Sequence, residues 1–354
     1  MVNWAQIRLS GGELRGSKML MASFVYSGAS IGFIIMLKIL MTKLYFDFPI
    51  IILTAQMIVT LVVIEVLRCF SVVTSVPAYT FERARPVLLP SMFYCLHWYF
   101  AMSALEGLSI PMYHAVLRCA PFLTVAVGVV LFKKSKPTKV VVVSVALMGL
   151  GAALGAYTDF MYDMQSYLYG MLAVAFNAVY LLLMERMLRH QQQKQYSTVE
   201  LLYLHAFNAL CMLLLVDIYQ DELRDAVLFV MTQSSFDLWI ILSITVGLGA
   251  ARSIALFDRV LATRNAAMGL LAAVKMGVET LLGMVLGFTF FHDVEGRFVH
   301  LFAILVNGGA AIGYALLKFT DPFTMLVTGV GSHGGDPQAA GTATPGGEKG
   351  YAIF

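Results

Sequence analysis

Residues Met268–Phe291 read MGLLAAVKMGVETLLGMVLGFTFF, an apolar run that contains two charged residues, Lys275 and Glu279. A helix of about 20 such residues spans the hydrocarbon core of a bilayer. A charged side chain near the centre of that core costs about 2.5–3.5 kcal/mol. Two explanations of Lys275 stay open: it is a functional cation inside the membrane, or it is neutralised by Glu279, one helical turn away on the same face.

Comparable apolar runs fill the chain from Met19 to Leu317. The composition is 59% hydrophobic and 13% charged, whereas soluble domains carry about 25% charged residues. The runs are continuous rather than alternating, which excludes a transmembrane β-barrel. The sequence therefore predicts an all-α membrane protein. Its four cysteines (Cys69, Cys95, Cys119 and Cys211) are expected as small core residues, without disulfides or metal ligation.

We predict ten transmembrane helices within a transporter domain at 18–319. Residues 1–17 are expected to form a cytosolic segment, and 320–354, rich in Gly, Ala, Thr and Pro, a disordered cytosolic tail. The tail ends in Tyr351–Phe354, for which a sorting signal is an alternative to a plain disordered end. The spans are expected at 18–41, 48–70, 87–105, 110–132, 138–158, 168–189, 200–217, 237–257, 266–291 and 297–319.

The basic residues predict the orientation of these spans. Of the 24 Lys and Arg, 17 fall on the side of the amino terminus and three on the other side, at Lys43, Arg224 and Arg297. Cytosolic loops carry the excess of positive charge in membrane proteins. Both termini are therefore expected in the cytosol. The remaining four cations lie inside predicted spans, at Lys38, Arg118, Arg252 and Lys275.

The two halves of the chain, about 18–158 and 168–319, resemble each other at a nearly constant offset. The matched segments are Ala115–Ala120 with Ala272–Gly277, Gly151–Gly155 with Gly309–Gly313, and Met36–Leu40 with Met184–Leu188. Because each half has five spans, the second half enters the membrane inverted. Two inverted five-helix repeats are typical of secondary transporters, whose substrate site lies near the midplane between the repeats.

Equivalent cations of the two repeats, Arg118 and Lys275, are expected near the membrane midplane. Each lies about 12–14 Å into its span at 1.5 Å per residue. Two cations in one cavity suit a phosphate-bearing solute, since Arg offers a planar fork and Lys a point charge. A structural ion pair remains the alternative, with Glu279 as partner of Lys275 and Glu65 as a partner for any of the cations.

Further candidates for substrate contact have ordinary structural alternatives. His114 lies one turn before Arg118 and either lines the cavity or packs in the core. Asn177, Tyr180 and Asn208 either contact a sugar or base or make interhelical hydrogen bonds. Arg252 is a supporting ligand. Lys38 is a supporting ligand too, although snorkelling to the headgroups is the more ordinary fate of its ammonium.

Two other groups of residues offer less specific signals. Tyr94, His97, Trp98 and Tyr99 of span 3 either stack on a base or form an interfacial aromatic belt. Asp159 and Asp163, at i and i+4, raise the alternative of a metal-dependent luminal transferase. No second acidic cluster or large luminal domain accompanies that pair, so we expect neither metal, cofactor nor enzymatic activity.

Several motifs resemble those of nucleotide-sugar transporters of the drug/metabolite transporter superfamily, the branch that includes triose-phosphate translocators. The resemblance covers nearly all of 18–319. Its elements are Ser30, Leu37-Lys38, Phe48-Pro49, Thr54, Gln56, Leu108-Ser-Ile-Pro111, Arg118, Pro121, Asp159, Asp163, Gly170 and Ala272–Lys275. The Lys-Arg pair of triose-phosphate translocators is absent, because Met276 follows Lys275. The asparagine-rich motifs of GDP-mannose transporters are absent too, which leans toward a UDP-sugar.

The resemblance implies an antiporter of the Golgi or endoplasmic reticulum membrane. Such a protein imports a nucleotide sugar, a UDP-sugar or alternatively a GDP-sugar, in exchange for a nucleoside monophosphate. An organic-phosphate translocator is the alternative within transport. The expected partners are these nucleotides and the lipid bilayer, with a homodimer left open and no nucleic acid. Lys275 and Arg118 are the expected phosphate contacts, with Lys38, His114, Asn208 and Arg252 in support. Glu279, Asn177 and Tyr180 complete the nine residues expected at the substrate site.

Overall fold

The structure is a computed structural model that describes residues 4–71, 76–123, 138–191, 197–233, 235–260, 266–294 and 296–320. The regular secondary structure of these ranges is helical. The helices are α1 Trp4–Thr42, α2 Pro49–Cys69, α3 Phe81–Gly107, α4 Ile110–Leu117, α5 Lys139–Thr158, α6 Met164–Gln191, α7 Thr198–Gln220, α8 Glu222–Gln233, α9 Phe236–Val260, α10 Ala266–Leu286 and α11 Phe298–Thr320. A π-helical turn, Gly287–Phe291, follows α10.

Eight segments of the described chain are long and apolar enough to cross a membrane. They lie in α1, α2, α5, α6, α7, α9, α10 with its π-helical turn, and α11. The all-α membrane fold is thereby confirmed, whereas the count of ten spans stays a prediction. Helix α3 is long enough but more polar, and the predicted fourth span continues beyond α4 into residues 124–137, outside the described ranges. The tail from 321 also lies outside them.

Local sequence signals account for several helix ends. Pro49 occupies the first turn of α2 and Pro111 that of α4, where proline's missing N–H removes no intrahelical bond. The side chain of Ser197 accepts a hydrogen bond from the backbone N–H of Glu200 and caps α7. Helix α7 ends at Asp221, which adopts the left-handed conformation with φ 57°. The sharp turn there lets α8 begin at once.

The helices pack in a reciprocal pattern. Helix α1 packs along α9, and α3 packs along α6. Helix α5 pairs with α11 and α2 with α7, while α3 contacts α7 and α2 contacts α9. The shared core lies between these pairs, around side chains such as Phe33, Leu37, Leu53 and Met102. Burial of such side chains against neighbouring helices fixes where the polar residues of each helix point.

Two expectations about individual side chains are wrong. Glu65 does not reach any cation inside the spans; it is about half exposed and lies 3.6 Å from Arg68 on its own helix. Cys95 is a core residue, as expected, but Cys69 and Cys211 are exposed on the outside of the bundle. Both differences have one cause: periodicity on a single helix does not reveal which face its neighbours cover.

Candidate functional site

A cavity of about 280 Å³ lies inside the bundle, lined by α1, α3, α4, α5, α6, α9, α10 and α11. Its residues on α10, between Ala272 and Glu279, come from the first half of the span, as do most of those on α1, namely Tyr26, Ser27 and Ser30 but not Ile34. Those on α9 and α11 come from the second half. Neighbouring spans are antiparallel, so both observations place the cavity in the half of the bundle nearer the amino-terminal side.

A carboxylate on α10 gathers the charged groups of one cavity wall. Glu279 is 6% exposed, and its Oε1 accepts a hydrogen bond from Lys275 Nζ at 2.6 Å. Its Oε2 lies 3.6 Å from Arg118 Nη2 and 3.8 Å from His114 Nδ1, both on the α4 side of the cavity. Glu279 thus forms the predicted ion pair with Lys275 and also approaches Arg118. We call Lys275, Arg118, His114 and Glu279 the charged wall.

Arg118 follows α4 directly and is anchored on α10. Its Nη1 donates to Thr280 Oγ1 at 2.8 Å, and its Nη2 donates to the carbonyl oxygen of Met276 at 2.8 Å. Thr280 Oγ1 in turn donates to the same carbonyl. Arg118 is 8% exposed, and its Nε has no hydrogen-bond partner in the described part of the chain. The contacts tie the segment after α4 to α10 while leaving one donor of the guanidinium unused.

Aromatic rings form the opposite wall of the cavity. Tyr94, His97 and Trp98 come from α3 and Tyr180 from α6. The rings of Tyr94 and Tyr180 meet edge to face with centroids 5.5 Å apart, and His97 Nδ1 bonds the carbonyl oxygen of Ala173 at 2.9 Å. These three α3 side chains therefore face the interior instead of a lipid interface. We call this group, with Arg252 beside it, the aromatic wall.

Arg252 of α9 lies flat against the aromatic wall. Its guanidinium carbon is 3.6 Å from the centre of the Trp98 ring and 4.6 Å from that of Phe33. The side chain is 6% exposed and lines the cavity. Such stacking is worth about 2 kcal/mol in a desolvated setting. The Nε and Nη2 atoms of Arg252 have no hydrogen-bond partner in the described part of the chain.

The structure brings seven of the nine predicted contact residues to the cavity. These are Lys275, Arg118, His114, Arg252, Glu279, Asn177 and Tyr180. Sequence reasoning missed other lining residues, among them Tyr26, Tyr113 and Tyr314. The Tyr26 ring lies 5.6 Å from Lys275 Nζ, and the buried Tyr113 hydroxyl has no hydrogen-bond partner among the described residues. Among these, Tyr113 lies five residues before a predicted cation, Arg118, whereas Tyr26 is 249 residues from Lys275, so only the structure brings that ring to its cation.

Asn208 lies away from the cavity, between helices. Its Oδ1 accepts a hydrogen bond from the Tyr79 hydroxyl at 3.0 Å, and its Nδ2 donates to the carbonyl oxygen of Ala84 at 3.2 Å. The interhelical alternative accounts for both contacts. Asn208 is therefore not among the residues that we assign to the site.

Lys38 also lies away from the cavity, at the opposite side of the bundle. Its Nζ donates to the carbonyl oxygens of Leu105, Glu106 and Leu108 at 2.9, 3.1 and 2.8 Å, and lies 3.8 Å from Asp293 Oδ2. At 4% exposure it does not snorkel, which corrects that expectation. The ammonium satisfies carbonyls at the end of α3 and joins α1 to the α3–α4 connection. This contact closes the side opposite the amino terminus.

Acidic side chains on that closed side have altered acidity. Burial raises the pKa of Asp293, and the ammonium of Lys38 opposes the shift. Burial raises the pKa of Glu222 to about 7, although its Oε1 accepts hydrogen bonds from the backbone N–H groups of Ile50 and Ile51. The pKa of Asp163 is lowered by its hydrogen bonds from Ser166. The closed side therefore contains a carboxyl group, that of Glu222, whose pKa lies near neutral pH.

Asp159 and Asp163 serve local structure. Asp163 Oδ2 accepts hydrogen bonds from the hydroxyl and backbone N–H of Ser166, at 2.5 and 3.1 Å, and so caps α6. Asp159 Oδ2 accepts one from the Tyr167 hydroxyl at 2.7 Å. Within the ranges that the structure covers, no cluster of three or more His, Cys, Asp or Glu side chains could hold a metal ion. Both acids thus have structural partners, and neither points to the transferase alternative.

Together, the spans and the cavity define a multi-pass α-helical membrane protein with an internal site of net positive charge. The chain belongs to the Triose-phosphate Transporter family, whose profile matches residues 17–250. It is 28% identical over 237 residues to "UDP-galactose/UDP-glucose transporter 7" of Arabidopsis thaliana, covering 67% of this chain and 71% of that protein. It is 24% identical over 266 residues to "Putative UDP-sugar transporter DDB_G0278631" of Dictyostelium discoideum, covering 75% and 66%. These relatives confirm the resemblance to nucleotide-sugar transporters.

Proposed function

We propose that the protein is a nucleotide-sugar antiporter of the Golgi or endoplasmic reticulum membrane. It moves a UDP-sugar from the cytosol to the lumen and returns a nucleoside monophosphate. Two relatives carry UDP-sugar transport in their names, which supports the choice of substrate. The excess of Lys and Arg on the amino-terminal side supports cytosolic termini, and hence a cavity located toward the cytosol.

The observation that carries the proposal is the presence of two unlike groups of side chains in the lining of one cavity. The charged wall presents Lys275 and Arg118, which suit the oxygens of a phosphoryl group. The aromatic wall presents Tyr94, Trp98 and Tyr180, whose faces suit the flat ring of a base or the apolar face of a sugar. A nucleotide sugar has both kinds of group on one molecule.

Glu279 explains how the empty carrier holds two cations inside the membrane. Its carboxylate neutralises Lys275 at 2.6 Å and approaches Arg118 at 3.6 Å. An unpaired buried charge is expensive, so an internal anion stabilises the cavity when no substrate is bound. An entering phosphoryl group then competes with Glu279 for the same cations. Glu279 can re-form its contacts with both cations when the phosphoryl group leaves, so neither Lys275 nor Arg118 is left without an anion between substrates.

The reciprocal packing supports ten spans in two inverted repeats. The first half comprises α1 to α5, and the second comprises α6, α7, α9, α10 and α11. In this division, the contact of α1 with α9 corresponds to the contact of α6 with α3. The pairs α5 with α11 and α2 with α7 each join equivalent helices of the two halves. Rocking one half against the other gives alternating access. Opening the far side requires Lys38 to release the end of α3.

An organic-phosphate translocator is the second candidate, supported by the name of the family. Such a substrate would use the charged wall and leave the aromatic wall without a ring to contact. A GDP-sugar would use both walls, as a UDP-sugar does. An organic phosphate and a nucleotide sugar thus differ in whether they contact the aromatic wall, and transport assays can measure that difference.

Exchange by purified protein in liposomes tests the proposal. Liposomes preloaded with UMP or GMP are offered a panel of radiolabelled nucleotide sugars and triose phosphate. We expect uptake of a UDP-sugar that requires internal UMP. Lys275→Ala should abolish this uptake in protein that still folds and inserts. Exchange of triose phosphate alone, or the absence of exchange, would refute the proposed function, and uptake retained by both Lys275→Ala and Glu279→Ala would refute the phosphate role.

A further inference from the structure

Arg252 differs from the other two cations of the cavity in having nothing to balance its charge. Lys275 forms an ion pair with Glu279 at 2.6 Å. Arg118 donates hydrogen bonds to Thr280 and to the carbonyl oxygen of Met276, and it lies 3.6 Å from Glu279. Arg252 has two aromatic faces, and its Nε and Nη2 are without a hydrogen-bond partner among the residues described. No carboxylate in the same part of the chain lies within ion-pair distance of it.

An arrangement of this kind is costly unless something completes it. A buried charge without partners loses its hydration, and stacking on aromatic rings restores only part of that loss. The contacts with Trp98 and Phe33 also restrict the position of the guanidinium, so its Nε and Nη2 donors are held in place before a ligand arrives. A preorganised fork of donors matches the oxygens of a phosphoryl group or carboxylate. The missing partner is therefore an oxyanion that enters the cavity.

The formal charge of the cavity indicates how many anionic groups it takes. Among the residues that the structure describes, Arg118, Arg252 and Lys275 line it together with one carboxylate, Glu279, so that two positive charges remain in excess with the histidines neutral. Glu279 lies against Lys275 and Arg118, so one excess charge belongs to the charged wall and the other to Arg252. A UDP-sugar carries one negative charge on each of its two phosphoryl groups, and the two walls can each receive one.

We propose that Arg252 binds the sugar-bearing phosphoryl group of the nucleotide sugar, while Lys275 and Arg118 bind the phosphoryl group next to the ribose. This assignment rests on the proposed function and adds a specificity-determining residue to it. The sugar then lies against Tyr94, His97 and Trp98, deep in the cavity. A nucleoside monophosphate has no second phosphoryl group, so it uses the charged wall alone. Arg252 thereby distinguishes the two exchanged substrates.

Binding of UDP-glucose and UMP to purified detergent-solubilised protein tests the assignment. Arg252→Gln should raise the Kd of UDP-glucose at least about tenfold, the effect of one lost charge-assisted contact, and change the Kd of UMP less than about twofold. Lys275→Met is the matched control and should weaken both nucleotides. Melting temperatures without nucleotide show whether each variant is folded. If Arg252→Gln does not fold, Arg252→Lys, which lacks the planar fork, should still weaken UDP-glucose more than UMP.

Two contrary results have different meanings. If wild-type protein binds both nucleotides and the Arg252 variants weaken them equally, or weaken neither, the Arg252 assignment is wrong and the proposed function stands. If wild-type protein binds neither nucleotide, the proposed function is wrong, and the assignment falls with it.

Discussion

Glu279 and Lys275 form an ion pair of 2.6 Å on one face of α10, inside the cavity instead of at a lipid interface. The spacing of four residues makes this contact a local property of the helix. What the fold adds is the approach of Arg118 and His114 from the α4 side to the other carboxylate oxygen. The pair therefore both neutralises a buried lysine and occupies the position where we place a phosphoryl group.

Removing the charge of Glu279 should strengthen substrate binding and slow exchange. In Glu279→Gln, no internal anion competes for Lys275 and Arg118, so the Kd of UMP should fall about tenfold, which corresponds to about 1.4 kcal/mol. Slower release should lower the rate of UMP exchange in liposomes. Titration calorimetry and preloaded-liposome assays measure the two quantities. Glu279→Asp, which retains the charge, is the control, and an unchanged or higher Kd in Glu279→Gln would contradict the competition.

Lys38 should contribute to stability without contributing to UMP binding. In Lys38→Met, the carbonyls of Leu105, Glu106 and Leu108 lose their shared donor, and each buried unpaired acceptor costs about 1–3 kcal/mol. We expect a melting temperature several degrees lower and an unchanged Kd for UMP. Lys43→Met is the matched control, because Lys43 is exposed on the same side of the bundle. A raised Kd with unchanged melting would instead restore the predicted role of Lys38 as a ligand.

The sequence predicted which cations line the cavity better than it predicted the residues that contact them. Lys275, Arg118 and Arg252 were recognisable because a charge within an apolar run is costly wherever the helix packs. Glu279 could be assigned to Lys275 from helical spacing alone. Its contact with Arg118 could not, since 161 residues separate them and only the packing of α4 against α10 brings them together.

Other residues show why a polar position inside a span does not identify its role. Lys38 and Asn208 were as conspicuous in the sequence as Arg252, yet one binds the carbonyls at the end of α3 and the other bridges α7 to Tyr79 and α3. Which of the three remains without partners depends on the rotation of each helix about its axis. That rotation follows from packing of apolar side chains on all sides, which no single-helix pattern contains.

The protein should become less stable as the pH rises toward neutrality. Burial, with a further contribution from the charge of Asp217, raises the pKa of Glu222 from 4.5 to about 7. Between these values the folded protein holds a proton that the unfolded chain releases, so stability falls with increasing pH across that window. Melting temperatures from pH 5 to 8 should therefore decline. Glu222→Gln, which keeps an acceptor for Ile50 and Ile51, should reduce the decline; an identical slope would show that Glu222 is not responsible.

Two glycines of α5 offer a matched test of close packing between α5 and α11. A Cβ atom at Gly151 would lie 2.8 Å from the backbone nitrogen of Asn307 and 2.9 Å from the carbonyl oxygen of Ala303, whereas one at Gly149 would meet nothing within 4 Å. Alanine is favoured over glycine inside a helix by about 1 kcal/mol. Gly149→Ala should therefore leave the melting temperature unchanged or slightly higher.

Gly151→Ala should lower the melting temperature by several degrees, because backbone atoms of α11 must move to admit the methyl group. The same movement would disturb Asn307, whose Nδ2 donates to the carbonyl oxygens of Met148 and Ala115 at 2.8 and 3.2 Å. Since Ala115 lies one turn before Arg118 on the cavity side, the exchange rate should fall as well. Thermal unfolding and liposome exchange, measured for both variants, test these two expectations. Equal behaviour of Gly149→Ala and Gly151→Ala would mean that α5 and α11 do not approach as closely as the structure has them.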